Sequence, residues 1–267
     1  MSTMITPPYA DAGAPALHPT PSLPAALRAQ VRAMGIHHRG MLLGVVVLSA
    51  LLALLLGLSL AGAPAPGDPG VETWHFNILP GAIPPLLLLA AVWALMTWRH
   101  DRPSERGYLL AAPIDRRLHK AMRVAAGWVW LMAAVTVYLV ALGVMMLTAG
   151  LPEYFIGDLA ARGALPFAGA TLSYLAASVA TLLSEHPAWW LIGIIVASPF
   201  VAGLLFMISP DASMALQHAI GSFGHAQTGM DPPEGTIFPE SWGGAFLLWG
   251  SVTLAAVAAA CIVRRER

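Results

Sequence analysis

Six stretches of the chain are free of Asp, Glu, Lys and Arg, and each is apolar over the roughly 20 residues that a helix needs to cross a bilayer. They are Gly40–Gly67, Thr73–Trp98, Val124–Pro152, Gly163–Ser184, His186–Pro210 and Ser241–Val263. Apolar residues run through them almost without interruption, a pattern that predicts helices over 41–61, 79–98, 124–147, 166–183, 189–207 and 243–263. Ala212–Met230 also lacks formal charge, but Gln217, His218, Gly221, Gly224, Gln227 and Gly229 make it too polar and glycine-rich for a full span. Upstream, residues 1–23 are Pro- and Ala-rich, with no basic start and no apolar core, and read as a flexible tail. In residues 24–39, Leu27, Val31 and Met34 recur at helical spacing while Arg28 and Arg32 fall on another side, which predicts an amphipathic helix at the membrane interface. The fold class expected is an all-α membrane protein with six transmembrane helices.

Composition agrees. Charged residues are 10% of the 267, against about 25% in soluble domains, and mean hydropathy is +0.69. A freely soluble enzyme is excluded, and the single cysteine, Cys261, excludes a disulfide scaffold. No continuous basic face points to nucleic acid. The zero net charge hides a segregation: Arg28, Arg32 and Arg39 precede the first span, Arg99, Arg102, Arg106, Arg116, Arg117, Lys120 and Arg123 lie between the second and third, and Arg264, Arg265 and Arg267 follow the sixth. Only Arg162 falls on the other side, together with Asp68, Glu72, Glu153, Asp158, Asp211, Asp231, Glu234 and Glu240. The positive-inside rule then predicts cytoplasmic termini, a cytoplasmic loop 99–123 and an external loop 208–242; the membrane expected is a bacterial inner membrane.

Catalytic motifs are missing. The one lysine, Lys120, sits between His119 and Ala121, so no P-loop exists, and neither HExxH nor GxSxG occurs. The nine histidines fall in tails, loops or span ends rather than inside a bundle where a haem would need them. His37–His38 reads as a juxtamembrane pair rather than a metal site. No Asp, Glu, Lys, Arg or His lies within the six predicted helices, which argues against a proton or ion pathway inside this chain. No resident cofactor or metal is expected.

The spans do carry small residues at helical spacing: Gly169, Ser173, Ala177 and Thr181 in the fourth, Gly57 and Ala61 in the first, Gly193 and Ala197 in the fifth, and Ser251, Ala255 and Ala259 in the sixth. Such ridges permit close helix contact, within one chain or between chains. Pro199 interrupts the hydrogen-bond ladder of the fifth span, as a kink or as part of a gate.

Loop 99–123 reads RHDRPSERGYLLAAPIDRRLHKAMR. Pro103 can open a short helix that Pro113 ends, exposing Tyr108, Leu109 and Leu110 among charges; Asp115 can cap a second helix that continues into the third span. That element suits receiving a push from a soluble partner, or equally anchoring at the interface.

At this loop the chain resembles the ABC-2 type permease family, the membrane half of ATP-binding-cassette exporters. The resemblance rests on the interfacial helix, the six-span order over residues 24–267, the 109–117 segment Leu-Leu-Ala-Ala-Pro-Ile-Asp-Arg-Arg, and a long fifth-to-sixth connection like the family's re-entrant region. Where the family often has a Leu-Pro-Val-Ser-Arg-like segment, this chain has Ala112-Pro113-Ile114-Asp115-Arg116. The resemblance implies a homodimer bound to two P-loop ATPase subunits that carry the ATP and Mg. Glu105, Arg106, Tyr108, Leu109, Leu110, Pro113, Asp115, Arg116 and Arg117 would form the ATPase-coupling loop. Gly57, Gly193, Ala197 and Pro199 would lie near the dimer seam and transport path. The implied activity is outward movement of a hydrophobic or amphipathic substrate by alternating access, with no enzyme activity in this chain itself. Two other readings stay open: a non-catalytic assembly or anchoring subunit of a respiratory or photosynthetic complex, and an intramembrane enzyme acting on lipid through His75, Glu185–His186 or His218/His225.

Overall fold

The computed structural model describes residues 22–61, 78–99, 115–148, 163–184, 186–229 and 241–263. Every regular element among them is an α-helix: α1 (Leu23–His37), α2 (Arg39–Ala61), α3 (Ile78–Arg99), α4 (Arg116–Thr148), α5 (Ala164–Leu183), α6 (Pro187–Ile208), α7 (Pro210–Thr228) and α8 (Trp242–Ile262). Four of these, α4, α5, α6 and α8, are long and apolar enough to cross a membrane. A fifth is gained if α1 and α2, which meet at 76°, count as one bent span. The chain is therefore an integral membrane protein that is all-helical among the described residues, with four to five candidate spans there. All six segments predicted from the sequence lie on helices, and the lower count arises at the first two. α2 enters through the bend with α1, and α3 is a 22-residue helix, Ile78–Arg99, with Pro84 and Pro85 inside it, of which the stretch with described side chains is Ile83–Trp98.

Side-chain hydrogen bonds set the helix directions. Trp93 Nε1 donates to the Gly127 carbonyl at 3.0 Å and Arg123 donates to the Thr97 carbonyl, so α3 and α4 are antiparallel. The Tyr174 hydroxyl donates to the Val124 carbonyl (2.9 Å) and Trp128 Nε1 to Thr171 Oγ1 (3.0 Å), which makes α4 and α5 antiparallel as well. Lys120 Nζ reaches the Val263 carbonyl at 3.3 Å, bringing the last turn of α8 to the first turns of α4. One end of the bundle thus collects the start of α4, the ends of α3 and α8, and the turn between α5 and α6.

At 1.5 Å per residue, the 33 residues of α4 extend roughly 50 Å, well beyond a hydrocarbon core of about 30 Å. Its polar opening, Arg116–Arg123, is helical, as expected of a second helix that Asp115 caps and that continues from segment 99–123 into the third span. The reason is a cap: Asp115 Oδ1 accepts the Arg117 N–H at 2.9 Å, so the helix starts as soon as Pro113 and Ile114 are passed.

α5 is the centre of the bundle, in contact with α3, α4, α6, α7 and α8. The small ridge on it is consumed inside the chain. Gly169, Ser173 and Ala177 are all buried, and the Gln227 carbonyl lies where a side chain at position 169 would begin. The ridges on α6 and α8 have the opposite fate, for Gly193, Ala197, Ser251, Ala255 and Ala259 are exposed.

Within the connection 208–242, residues 210–228 form the helix α7, which is not among the candidate spans. Its start and stop signals are complete. Ser209 Oγ accepts the Ala212 N–H, Pro210 occupies the first turn, and Gly229 ends the helix at φ 75° in the left-handed region. Glycines and glutamines dilute the apolar pattern of this segment, which is why hydropathy alone passes over it. Ser213 Oγ donates to the Ala202 carbonyl (2.8 Å), Trp249 Nε1 to Ser222 Oγ (2.8 Å), Trp242 Nε1 to the Ala226 carbonyl (3.2 Å), and Gln227 Nε2 to Ser173 Oγ (2.7 Å). Since Trp249 is the eighth residue of α8, the second half of α7 runs beside roughly the first 10 Å of that span.

Gly169 permits this docking. Gly169→Ala is expected to push the end of α7 off α5 and to cost about 1–3 kcal/mol, the usual range for overpacking. In a Cys261→Ala background, disulfide formation between Ser173→Cys and Gln227→Cys should slow markedly when Gly169→Ala is added. An unchanged rate would show that α7 does not depend on this close approach.

Candidate functional site

The end of the bundle where α3 stops and α4 starts carries polar contacts that join three helices. Arg123 is 6% exposed, although the sequence counts it among loop residues. Its guanidinium lies 4.8 Å from the Trp98 ring centroid and donates to the Thr97 carbonyl. That carbonyl belongs to the last turn of α3, where carbonyls lack partners within the helix and the helix dipole favours a cation. A charge in an apolar bundle costs several kcal/mol unless it is hydrogen-bonded. The carbonyl and the ring together offset that cost. Four residues further along, the Gly127 carbonyl accepts the Trp93 indole. Gly127 also makes room for Tyr174, whose hydroxyl occupies the space of a Cβ there. Three helices are therefore pinned together within about one and a half turns of α4.

The buried face of α4 reads Arg123, Gly127, Leu131, Val135, Tyr138 and Leu142, in steps of four and three. The sequence reading missed Arg123 because it took the last basic residue as the edge of the span. The available signal was that Arg123 continues this apolar face by one more step of four. Lys120 plays a related part, with its ammonium at the Val263 carbonyl just past α8. Two of the basic residues at this end thus cap neighbouring helices, whereas Arg117 is exposed.

The segment that joins the pinned helices, 100–114, lies outside the described residues. The expectations for Glu105, Arg106, Tyr108, Leu109, Leu110 and Pro113 therefore fall there. Asp115 is exposed and acts as the N-cap of α4, and Arg116 is the first residue of that helix.

The residues expected near a seam divide differently. Gly57 lies on α2 and Pro199 on α6, which is helical throughout Pro187–Ile208. Gly193 and Ala197, with Ser184, His186, Trp189, Trp190 and Ile194, line an open groove of about 720 Å³ that begins at the α5–α6 turn. Gly193 and Ala197 were expected near a dimer seam or path rather than in a groove of this kind, and the two tryptophans, 73% and 60% exposed, were not singled out from the sequence. Their position in the first turn of an apolar helix was the signal, since tryptophan collects at membrane–water boundaries. α6 as a whole is the least covered of the candidate spans and packs on α5 and α7.

Among the described residues no group of three His, Cys, Asp or Glu side chains is placed to hold a metal ion, and Cys261 is a buried free thiol. No family model, no curated protein and no solved structure matches the chain.

Proposed function

We propose that this chain is the permease subunit of an ATP-binding-cassette exporter of the ABC-2 type. It would work as a homodimer with two P-loop ATPase subunits, and move a hydrophobic or amphipathic substrate outward by alternating access. In this reading the chain has six spans, both termini are cytoplasmic in a bacterial inner membrane, and the pinned end of the bundle faces the cytoplasm. The observation that carries the reading is the union of α3 and α4 at the mouths of segment 100–114. Arg123, Trp98, Trp93 and Gly127 hold the two helices together, so a force applied to the connecting segment reaches α3, α4 and α5 as one body. A device of this kind suits a chain whose energy enters from a separate ATPase. The uncovered face of α6, with its Gly193 and Ala197 notch and Pro199, supports a second membrane subunit on that side.

The test is affinity purification of the chain in a gentle detergent, with mass spectrometry of its partners. A stoichiometric P-loop ATPase is expected. Redox subunits, or no ATPase from an intact complex, would replace this reading with that of an anchoring or assembly subunit.

A further inference from the structure

The amphipathic pattern of α1 has two faces, and the stronger one does not meet lipid. Met34 is buried and Leu27 and Val31 are half-buried, and α1 packs on α4. There Trp130 Nε1 donates to the Val31 carbonyl at 3.0 Å, and the Trp130 ring lies against Gly35. What α1 turns outward is a different stripe: Ala25, Ala29, Ala33 and Ile36, all exposed, bordered by exposed Arg28 and Arg32. Exposed Arg39 follows at the bend, and no acidic residue occurs between Leu23 and Arg39. The 76° angle with α2 lays α1 close to the membrane plane when α2 stands across it.

We propose that this outer face of α1 is a binding surface for anionic phospholipid, with Arg28 and Arg32 on the headgroup phosphates and the alanine stripe at the acyl boundary. The argument is one of magnitude. Three alanine methyls and one isoleucine bury little apolar surface, so insertion of this face by the hydrophobic effect is weak. Each arginine near an anionic surface is worth about fivefold in affinity. Of the larger apolar side chains of α1, Leu27, Val31 and Met34 are buried or half-buried and only Leu23 and Ile36 stay exposed, so attachment of its outer face depends mainly on charge. It follows that the attachment selects lipid by headgroup charge and weakens with salt.

The experiment uses the full chain in detergent, with binding of phosphatidylglycerol and phosphatidylcholine compared by native mass spectrometry. The wild type is expected to prefer phosphatidylglycerol, and Arg28→Gln/Arg32→Gln to lose about 25-fold of that preference. Arg28→Lys/Arg32→Lys, which keeps the charge, should retain most of it, and Arg117→Gln should leave it unchanged. Retention of the full preference by the glutamine variant overturns the proposal, as does an equal loss in Arg117→Gln. Should the glutamine variant fail to fold, the wild type still decides: its preference should vanish as salt rises from about 50 to 500 mM. A preference that persists in high salt would also overturn the proposal.

Discussion

Arg123→Ala is expected to destabilise the purified protein by about 2–3 kcal/mol, the largest effect of any single substitution outside the apolar core. A hydrogen bond to a charged group contributes about 1.5–3 kcal/mol, and a desolvated cation–π contact adds up to about 2. Relief of the desolvation of the guanidinium offsets part of that sum. Alanine would also open a cavity between the last turn of α3 and the start of α4, beside the Trp98 ring. Arg123→Lys should recover less than half of the loss, because an ammonium cannot stack on the indole and reach the Thr97 carbonyl with one planar group. Denaturant titration in detergent, followed by tryptophan fluorescence, measures both variants. If Arg123→Ala changes stability by less than about 0.5 kcal/mol, the cost of burying the charge cancels its contacts, and the helix ends are held by apolar packing alone.

Much of the architecture was legible because a bilayer reduces the problem to length and charge. The helical segments follow from those two quantities, and the Asp115 cap from an acidic residue two places after Pro113. α7 escaped for a specific reason: it is held by hydroxyl, indole and amide contacts from Ser213, Ser222 and Gln227 to three neighbouring helices, and hydropathy does not register such contacts. Its caps at Ser209 and Gly229 were readable, but the glycines between them masked the helix.

The small-residue ridges show a different limit. Gly169 and Gly193 head the same kind of four-residue repeat, yet one is filled by the Gln227 carbonyl and the other faces open space. Spacing predicts that a helix can be approached closely. Which neighbour approaches depends on the order in which the helices pack, and no local pattern encodes that order. Arg123 fell between two rules: the charge count assigned it to the loop, and the face it shares with Gly127 and Leu131 assigned it to the core.

The second large effect concerns the segment between the pinned helices. If the chain is an exporter permease as proposed, replacing Tyr108, Leu109 and Leu110 together by aspartate should abolish co-purification of a partner ATPase while leaving the membrane protein folded. An apolar knob that enters a groove on a partner loses its hydrophobic contact when it becomes acidic. Three buried carboxylates without partners would each add a desolvation cost of several kcal/mol. Binding should therefore fall by many orders of magnitude. The fold should survive, because the contacts that join α3 to α4 are made at Trp93, Thr97, Trp98, Arg123 and Gly127, outside the substituted residues. Arg123→Lys supplies the contrast, since it loosens the pinned end and leaves the knob intact. The ATPase should then still co-purify, but its hydrolysis should respond less to the presence of the permease. If instead the aspartate variant retains its ATPase while Arg123→Lys loses it, recognition lies on the helix ends themselves, and the coupling role passes from Tyr108–Leu110 to the first turns of α4.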